Sequence, residues 1–360
     1  MAKGQTYSME RIQREDPRTG SARKASARAI AFLQLTSFPV ASWPFPYFYT
    51  NLTNGFTADS RTIVFCSLRS CRRDSPFDLF RVDVDGDNLV QLTERDTVGA
   101  VVFSGNQRLV YFFDAGTLWS VHLDTFAEEE VAHADVGLQR WSWGYLSPDD
   151  RWYFVKAVNS KGEYVLLRLA TDGTDAQIIH VGDDWNLHSI DPRGQGLFIL
   201  VPEGDGRGLL LVGFSGGVAA RYGRSERFAH SSPLGKSGVF QACAMPPGRA
   251  VLTLGVKEGE PKTLVEGPYF WHSSGSLDGE WIIADTNWPN EGLQLVCVET
   301  RRFRTLLHPE NSAGHPQTTH AHPQFSPDGR FVLFNSDRTG IAQMYVAEIP
   351  DEFKKELKTR

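Results

Sequence analysis

Gln317, His320 and His322 stand together in the run Gln317-Thr-Thr-His-Ala-His-Pro323. On an extended segment, residues i and i+2 point the same way, so His320 and His322 can present their nitrogens to one point. Neutral imidazoles and an amide oxygen are donors for intermediate divalent metals such as Mn, Fe, Ni or Zn. A lone His-x-His is a weak signal, because solvated surface histidines look the same. This one gains force from its position. It opens the segment His322-Pro-Gln-Phe-Ser-Pro-Asp-Gly-Arg-Phe-Val-Leu-Phe334, whose pattern recurs along the chain.

Other histidines fall in step with that recurrence. His322 lies seven residues before Gly329, and His272 lies seven before Gly279. His230 lies five before Gly235 or eight before Gly238, and His188 lies six before Gly194. If each glycine marks the turn of a repeated unit, His188, His230, His272, His320 and His322 ring one spot. The bland rival is a repeat that favours His at strand starts, where it caps an orphan backbone group. The first three units carry no His there, which counts against that rival.

The elements that must position these residues are β-strands. An aromatic or apolar residue, a Ser/Pro/Asp/Gly turn and an apolar run recur, with turns near Asp59, Gly105, Asp149, Arg193, Lys236, Asp278 and Asp328. The steps of roughly 42 to 50 residues suit four-stranded propeller blades. Many units carry a second hairpin, such as Leu79 to Thr93 turning at Asp85-Gly-Asp-Asn88. The fold expected is all-β: a single seven-bladed β-propeller over 1–360, with blades near 46–93, 97–131, 140–181, 186–222, 227–266, 270–308 and 318–350. The last blade lacks strands, and residues 28–38 are free to close it. Innermost strands of successive blades start at one mouth of the central channel, which is where the histidines would meet.

Composition fits this fold: 41% hydrophobic residues can fill a large core, and 33 glycines suit many tight turns. Apart from Pro350 to Arg360, read as a short charged tail, no periodic helix stands out. A net charge of −6 argues against a nucleic-acid partner. The N-terminal residues lack an apolar signal core, and Ala29 to Phe48 is broken by Pro39, Pro44 and Pro46, so neither secretion nor a membrane anchor is expected. Four cysteines with no paired spacing do not require disulfides, and the expected location is cytoplasmic. Asn51-Leu-Thr53 would matter as a glycosylation acceptor only in a secreted eukaryotic protein.

Two motif matches are set aside. Gly213-Phe-Ser-Gly-Gly217 fits a nucleophile elbow, but that motif needs a strand-turn-helix inside an α/β domain, and a hairpin of the fourth blade explains it better. Cys66 and Cys71 have no second ligand pair to complete a zinc site.

The run Gln317 to Gly329, with Phe334-Asn-Ser-Asp-Arg-Thr-Gly340 and Tyr345 to Pro350, resembles the C-terminal signature of the oligogalacturonate lyases. Met1 to Gly4, Leu35-Thr36, Tyr47-Phe-Tyr49 with Phe56-Thr57, and His272 to Gly279 add support. The resemblance implies a cytoplasmic, manganese-binding seven-bladed propeller of pectin degradation. It implies a metal held by His272, Gln317, His320 and His322, a catalytic base at His230, and a substrate-facing arginine at Arg207; His188, from its place in the histidine ring, is expected to be a further substrate contact. The chain departs from the family at Pro316, where an Arg is usual. It departs again at Trp43-Pro-Phe-Pro46, which replaces a His-Arg-Asn, and in a shortened stretch around Asp205-Gly-Arg207.

The implied chemistry is metal-dependent β-elimination on a short uronate oligosaccharide. A base takes the proton α to the C5 carboxylate, the C4 oxygen leaves, and a cation on the carboxylate stabilises the developing charge. His230 is the first choice of base, with His188 and Arg207 as alternatives. Two other readings remain open at this stage: a non-catalytic TolB-like propeller serving as a binding platform, and a lyase or isomerase of a different uronate.

Overall fold

A computed structural model describes residues 30–44, 55–72, 75–104, 108–134, 138, 144–203, 206–224, 228–244, 246–255 and 261–359, together with two short strands at Thr6–Tyr7 and Ile12–Glu15. Asn51 to Thr53, Tyr47 to Tyr49 and Gly105 lie outside the described residues.

The strands form seven antiparallel sheets, and the molecule is a seven-bladed β-propeller. In chain order the innermost strands are Ser42–Pro44, Gly99–Ser104, Gly144–Leu146, Asn186–Ile190, Phe228–Pro233, Phe270–Gly275 and Gln324–Phe325. The first blade therefore begins before residue 46, because Trp43 pairs with Cys66 and takes the inner place. The seventh blade is completed from the other end of the chain. Ala31–Gln34 pairs antiparallel with Gln343–Glu348, Phe32 opposite Ala347 and Leu33 opposite Val346.

The turn between first and second strands shows why the sequence repeats. In blades one, three, six and seven a hydroxyl from Thr57, Ser147, Ser276 or Ser326 donates to Asp59, Asp149, Asp278 or Asp328. The same oxygen accepts the N–H that starts the next strand, at Thr62, Trp152, Trp281 or Phe331. Such side-chain bonds hold a turn without secondary structure. Each turn also needs one left-handed residue: Ser60, Asp150, Gly279 and Gly329 all have positive φ.

The core lies between blades rather than within them, and apolar clusters fill all seven junctions. Phe198, Leu209 and Leu211 of blade four meet Phe240 and Leu254 of blade five, and Val251 and Val265 of blade five meet Ile282 and Val296 of blade six. At the seam, Leu333 and Met344 of blade seven pack on Ile63 and Phe65 of blade one. Each fully buried side chain of this size contributes about 1.5–3 kcal/mol, so the ring is held by contacts that only its closure completes.

The segment expected to be a charged tail is a docked helix, Asp351–Lys358. Its Phe353 and Leu357, one turn apart, are buried with Trp281 and Ile349. Acids at its start and lysines at its end suit the helix dipole. Gly213 to Gly217 joins the third and fourth strands of blade four, with Gly216 and Gly217 at positive φ, so it is a hairpin as expected. All four cysteines are free. Among the described residues no helix is long and apolar enough to cross a membrane.

Candidate metal and catalytic centre

Each innermost strand enters from the face of the ring where second strands end. Four histidines converge at that face, and local backbone irregularities aim them. Counting back from the turn hydrogen bonds Leu234 N–H to Val239 O, Ser276 N–H to Trp281 O and Ser326 N–H to Phe331 O, His230, His272 and His322 occupy the same position in blades five, six and seven. The apparent offset of His230 from its glycines arises because Ser237 stands where blade six has Gly279.

In blades five and six the strand register slips at this position. One slip lies between Ala229 and Ser232, the other between Phe270 and Ser273. Such bulges turn a side chain away from the pleat and recur beside functional sites. His230 has φ +53 and His322 φ +43, in the left-handed region that costs a non-glycine residue energy.

The rings form one group. Centroids are 3.9 Å apart for His272 and His322, 5.2 Å for His272 and His320, and 5.9 Å for His320 and His322. His230 lies 4.6 Å from His272. His272 and His322 are each 1% exposed and His320 is 4% exposed. His320 and His322 do not meet by strand alternation, since Gln317–Thr319 is a 3-10 turn that leads into the loop carrying them. Asn335 holds that loop, donating from its backbone to Ala321 O at 2.8 Å and from its amide to Thr318 O at 3.0 Å.

Asp285, which the sequence reading missed, ties the group together. It lies opposite the blade-six bulge. Its carboxylate accepts the His272 N–H at 2.7 Å, His272 Nδ1 at 2.9 Å and the His322 N–H at 3.1 Å. The available signal was an acid on the apolar strand Trp281-Ile-Ile-Ala-Asp-Thr286, every residue of which is buried.

These partners fix which ring nitrogens carry lone pairs. A carboxylate or carbonyl only accepts, so His272 donates from Nδ1 and keeps its lone pair on Nε2. His230 Nδ1 meets Trp271 O at 2.7 Å, leaving its lone pair on Nε2 as well. His320 Nε2 meets Gly314 O at 3.0 Å, leaving Nδ1. Burial lowers the pKa of His230. Burial and the neighbouring imidazoles push His272 and His322 well below the usual range, so these rings are neutral donors. Burial also pushes the Asp285 carboxyl upward.

Among the described residues, no three His, Cys, Asp or Glu side chains already present their donor atoms at metal spacing. The donor set nonetheless suits a cation. Two imidazoles on one metal, at bonds of about 2.1 Å, keep their ring centres within roughly 6.5 Å, and all three pairs do. Gln317 Oε1 is buried with no hydrogen-bond partner among the described residues, an orphan acceptor that a cation would satisfy. Asp285 on His272 is the outer carboxylate that metal-ligating histidines commonly have. A cleft of about 900 Å³ between blades seven and one opens beside Gln317, lined also by Trp43, Arg72 and His315.

The remaining expected residues stand further out. His188 is one residue past the equivalent position, and its Nε2 lies 2.5 Å from Ser231 Oγ rather than in the ring cluster. Its ring stacks on Phe240, and burial lowers its pKa to about 4. Arg207 is the second residue of the third strand of blade four, opposite Pro202, on the face that carries the histidines. The Arg207 side chain lies outside the described residues.

No family model matches the chain. A stretch of 110 residues is 47% identical to the oligogalacturonate lyase of Dickeya dadantii, covering 26% of this chain and 28% of that protein. The match thus spans little more than a quarter of that relative's length. Two solved structures share the whole ring. One is an oligogalacturonate lyase from Vibrio parahaemolyticus, with a TM-score of 0.79, 17% identity and coverage of 98% of this chain and 100% of that one. The other is an oligogalacturonate lyase in complex with manganese, with a TM-score of 0.81, 17% identity and the same coverage. At that identity the likeness shows the fold. The chain is thus similar in sequence to an oligogalacturonate lyase over about a quarter of its length, and in fold to two such lyases over the whole ring.

Proposed function

We propose that the protein is a metal-dependent lyase that cleaves short galacturonate-type oligosaccharides by β-elimination. One observation carries this reading: four imidazoles, three of them with assigned lone pairs, gather at one mouth of the ring around a single buried carboxylate. The activity for which the relatives are named and the manganese in one of them support it.

His272 through Nε2, His320 through Nδ1, His322 and the Gln317 amide oxygen would hold a divalent cation, with manganese the candidate. Bound there, the cation supplies positive charge beside the substrate carboxylate and so acidifies the adjacent C–H. Neutral donors leave that charge undiminished, and Asp285 keeps His272 oriented without occupying a ligand position.

The protein's own residues do the rest. His230 Nε2, unprotonated because Nδ1 is committed to Trp271 O, accepts the proton from C5. The electron pair forms the C4–C5 double bond, and the C4–O bond breaks. The departing oxygen takes a proton from solvent, so one chain becomes a saturated fragment and an unsaturated one. Arg207 is assigned to a second substrate carboxylate, where its fork can bind in a bidentate manner. His188, fixed on Ser231, lines the approach. Free thiols suit a reducing compartment, and the cytoplasm is the proposed location.

The test is absorbance of the unsaturated product when the manganese-loaded protein meets di- and trigalacturonate. Product should form, vanish with a chelator and return with manganese. Absorbance that stays flat with every galacturonate oligomer would overturn the reading.

A further inference from the structure

Beside the histidines stands an aromatic group that the chemistry above leaves unused. Trp271 precedes His272 and packs edge-on to His230, with ring centroids 4.8 Å apart. Tyr269 stacks on Trp271 at 5.8 Å and 22°. Trp288, just past the end of the second strand of blade six, packs on Trp271 at 5.5 Å and on Tyr269 at 5.9 Å. The three rings thus run outward from His230 in contact with one another.

Trp288 is 65% exposed, and it is the one exposed tryptophan among the described residues. A large aromatic side chain exposed beside the histidines is open to a ligand's ring face. Its backbone is held at φ +44, a conformation unfavourable for tryptophan. Polar groups lie around the same platform. Tyr269 is 7% exposed and Asn287 is 2% exposed, and Tyr269 Oη, Asn287 Nδ2 and Trp271 Nε1 have no hydrogen-bond partner among the described residues.

An exposed ring face backed by two further aromatic rings suits a ligand with a flat C–H face. A pyranose has that form. We propose that Trp288, backed by Trp271 and Tyr269, is a stacking subsite for a sugar ring of the oligosaccharide beyond the pair that flanks the cleaved bond. This rests on the reading of the neighbouring centre as acting on sugar oligomers. It assigns preference for oligomer length to blade six, outside the metal and base residues.

The test compares KM for di-, tri- and tetragalacturonate in wild type, Trp288→Ala and Trp288→Phe, each loaded with manganese. Loss of one aromatic contact should raise KM for the longer oligomers roughly tenfold. The rise should be smaller for the dimer, and Trp288→Phe should recover most of the loss. A KM penalty that is absent, or equal for all three lengths, overturns the subsite. A calorimetric arm separates this from the lyase reading, using trigalacturonate with metal-loaded His230→Ala and with His230→Ala carrying Trp288→Ala. If wild type forms no unsaturated product but binding still weakens tenfold without Trp288, the lyase reading fails and the subsite stands. If trigalacturonate binds neither protein, the subsite fails too.

Discussion

Blade two and blade five build the same backbone at the same place and put different chemistry on it. Ala100, His230 and His322 occupy equivalent positions at or just before the start of the turn-proximal part of their innermost strands, with φ of +48, +53 and +43. The register of blade two slips there too, between Gly99 and Val102. In blade two the position is apolar: Ala100 is buried with Val102, Tyr111 and Tyr153, and its carbonyl accepts the Tyr153 hydroxyl. In blades five and seven the same left-handed backbone carries imidazoles, and His272 of blade six, where the register also slips, joins them. The left-handed conformation is therefore found both with and without an imidazole. What makes a site is the residue type placed on it.

The comparison breaks most completely if the imidazoles are removed. Replacing His320 and His322 together with alanine should abolish bound metal and product formation while leaving the β-sheet circular dichroism intact. Metal stoichiometry on the purified variant checks this, and an unchanged value would return blade seven to the status of blade two.

A subtler cut leaves every imidazole in place. Asp285→Asn keeps the shape but replaces the carboxylate that orients His272. Metal affinity should fall about 10- to 100-fold, the usual effect of losing such an outer partner. Titration with manganese reads this directly, and wild-type affinity would show that Asp285 only pairs strands.

His188 sharpens the contrast from blade four, where it falls one residue past the shared position. Its folded pKa is lowered to about 4 by burial, against roughly 6.5 unfolded. Between those values the unfolded chain binds more protons. Stability from this group is therefore present above pH 6.5 and lost as pH falls toward 4. His188→Gln should flatten that acid loss by about 2 kcal/mol, a figure reduced from the full shift because the ring is partly exposed. Melting curves at pH 7 and pH 4.5 test it, and identical acid losses in both proteins would contradict it.

The smallest effect concerns the backbone alone. His230→Gly should be about 1 kcal/mol more stable than His230→Ala, since glycine adopts φ +53 freely. Ala100→Gly should gain less, because it also gives up a buried methyl. Equal stability of the two residue-230 variants in denaturant would mean that the position is not strained.

Much of this contrast was legible in the sequence. The Ser-x-Asp turns announced the blades because their side-chain bonds are local. The histidines were found because fixed spacing from a turn translates into a fixed place on a strand. What stayed hidden depended on pairing across strands. The bulges are defined by register against the neighbouring strand, and Asp285 meets His272 and His322 only once blades six and seven are assembled. The helix at Asp351–Lys358 was readable from Phe353 and Leu357, but its charges outweighed them. Trp43 pairs into the first blade inside a Pro-rich stretch that reads locally as loop.

The central claim is that His230 acts on the substrate while its neighbours hold the cation. The most direct test measures turnover of digalacturonate by His230→Ala, with metal content determined on the same sample. The expected result is a fall of about 10²- to 10⁴-fold, the usual contribution of a general base, with metal stoichiometry equal to wild type. Wild-type turnover in a metal-loaded His230→Ala protein would contradict it.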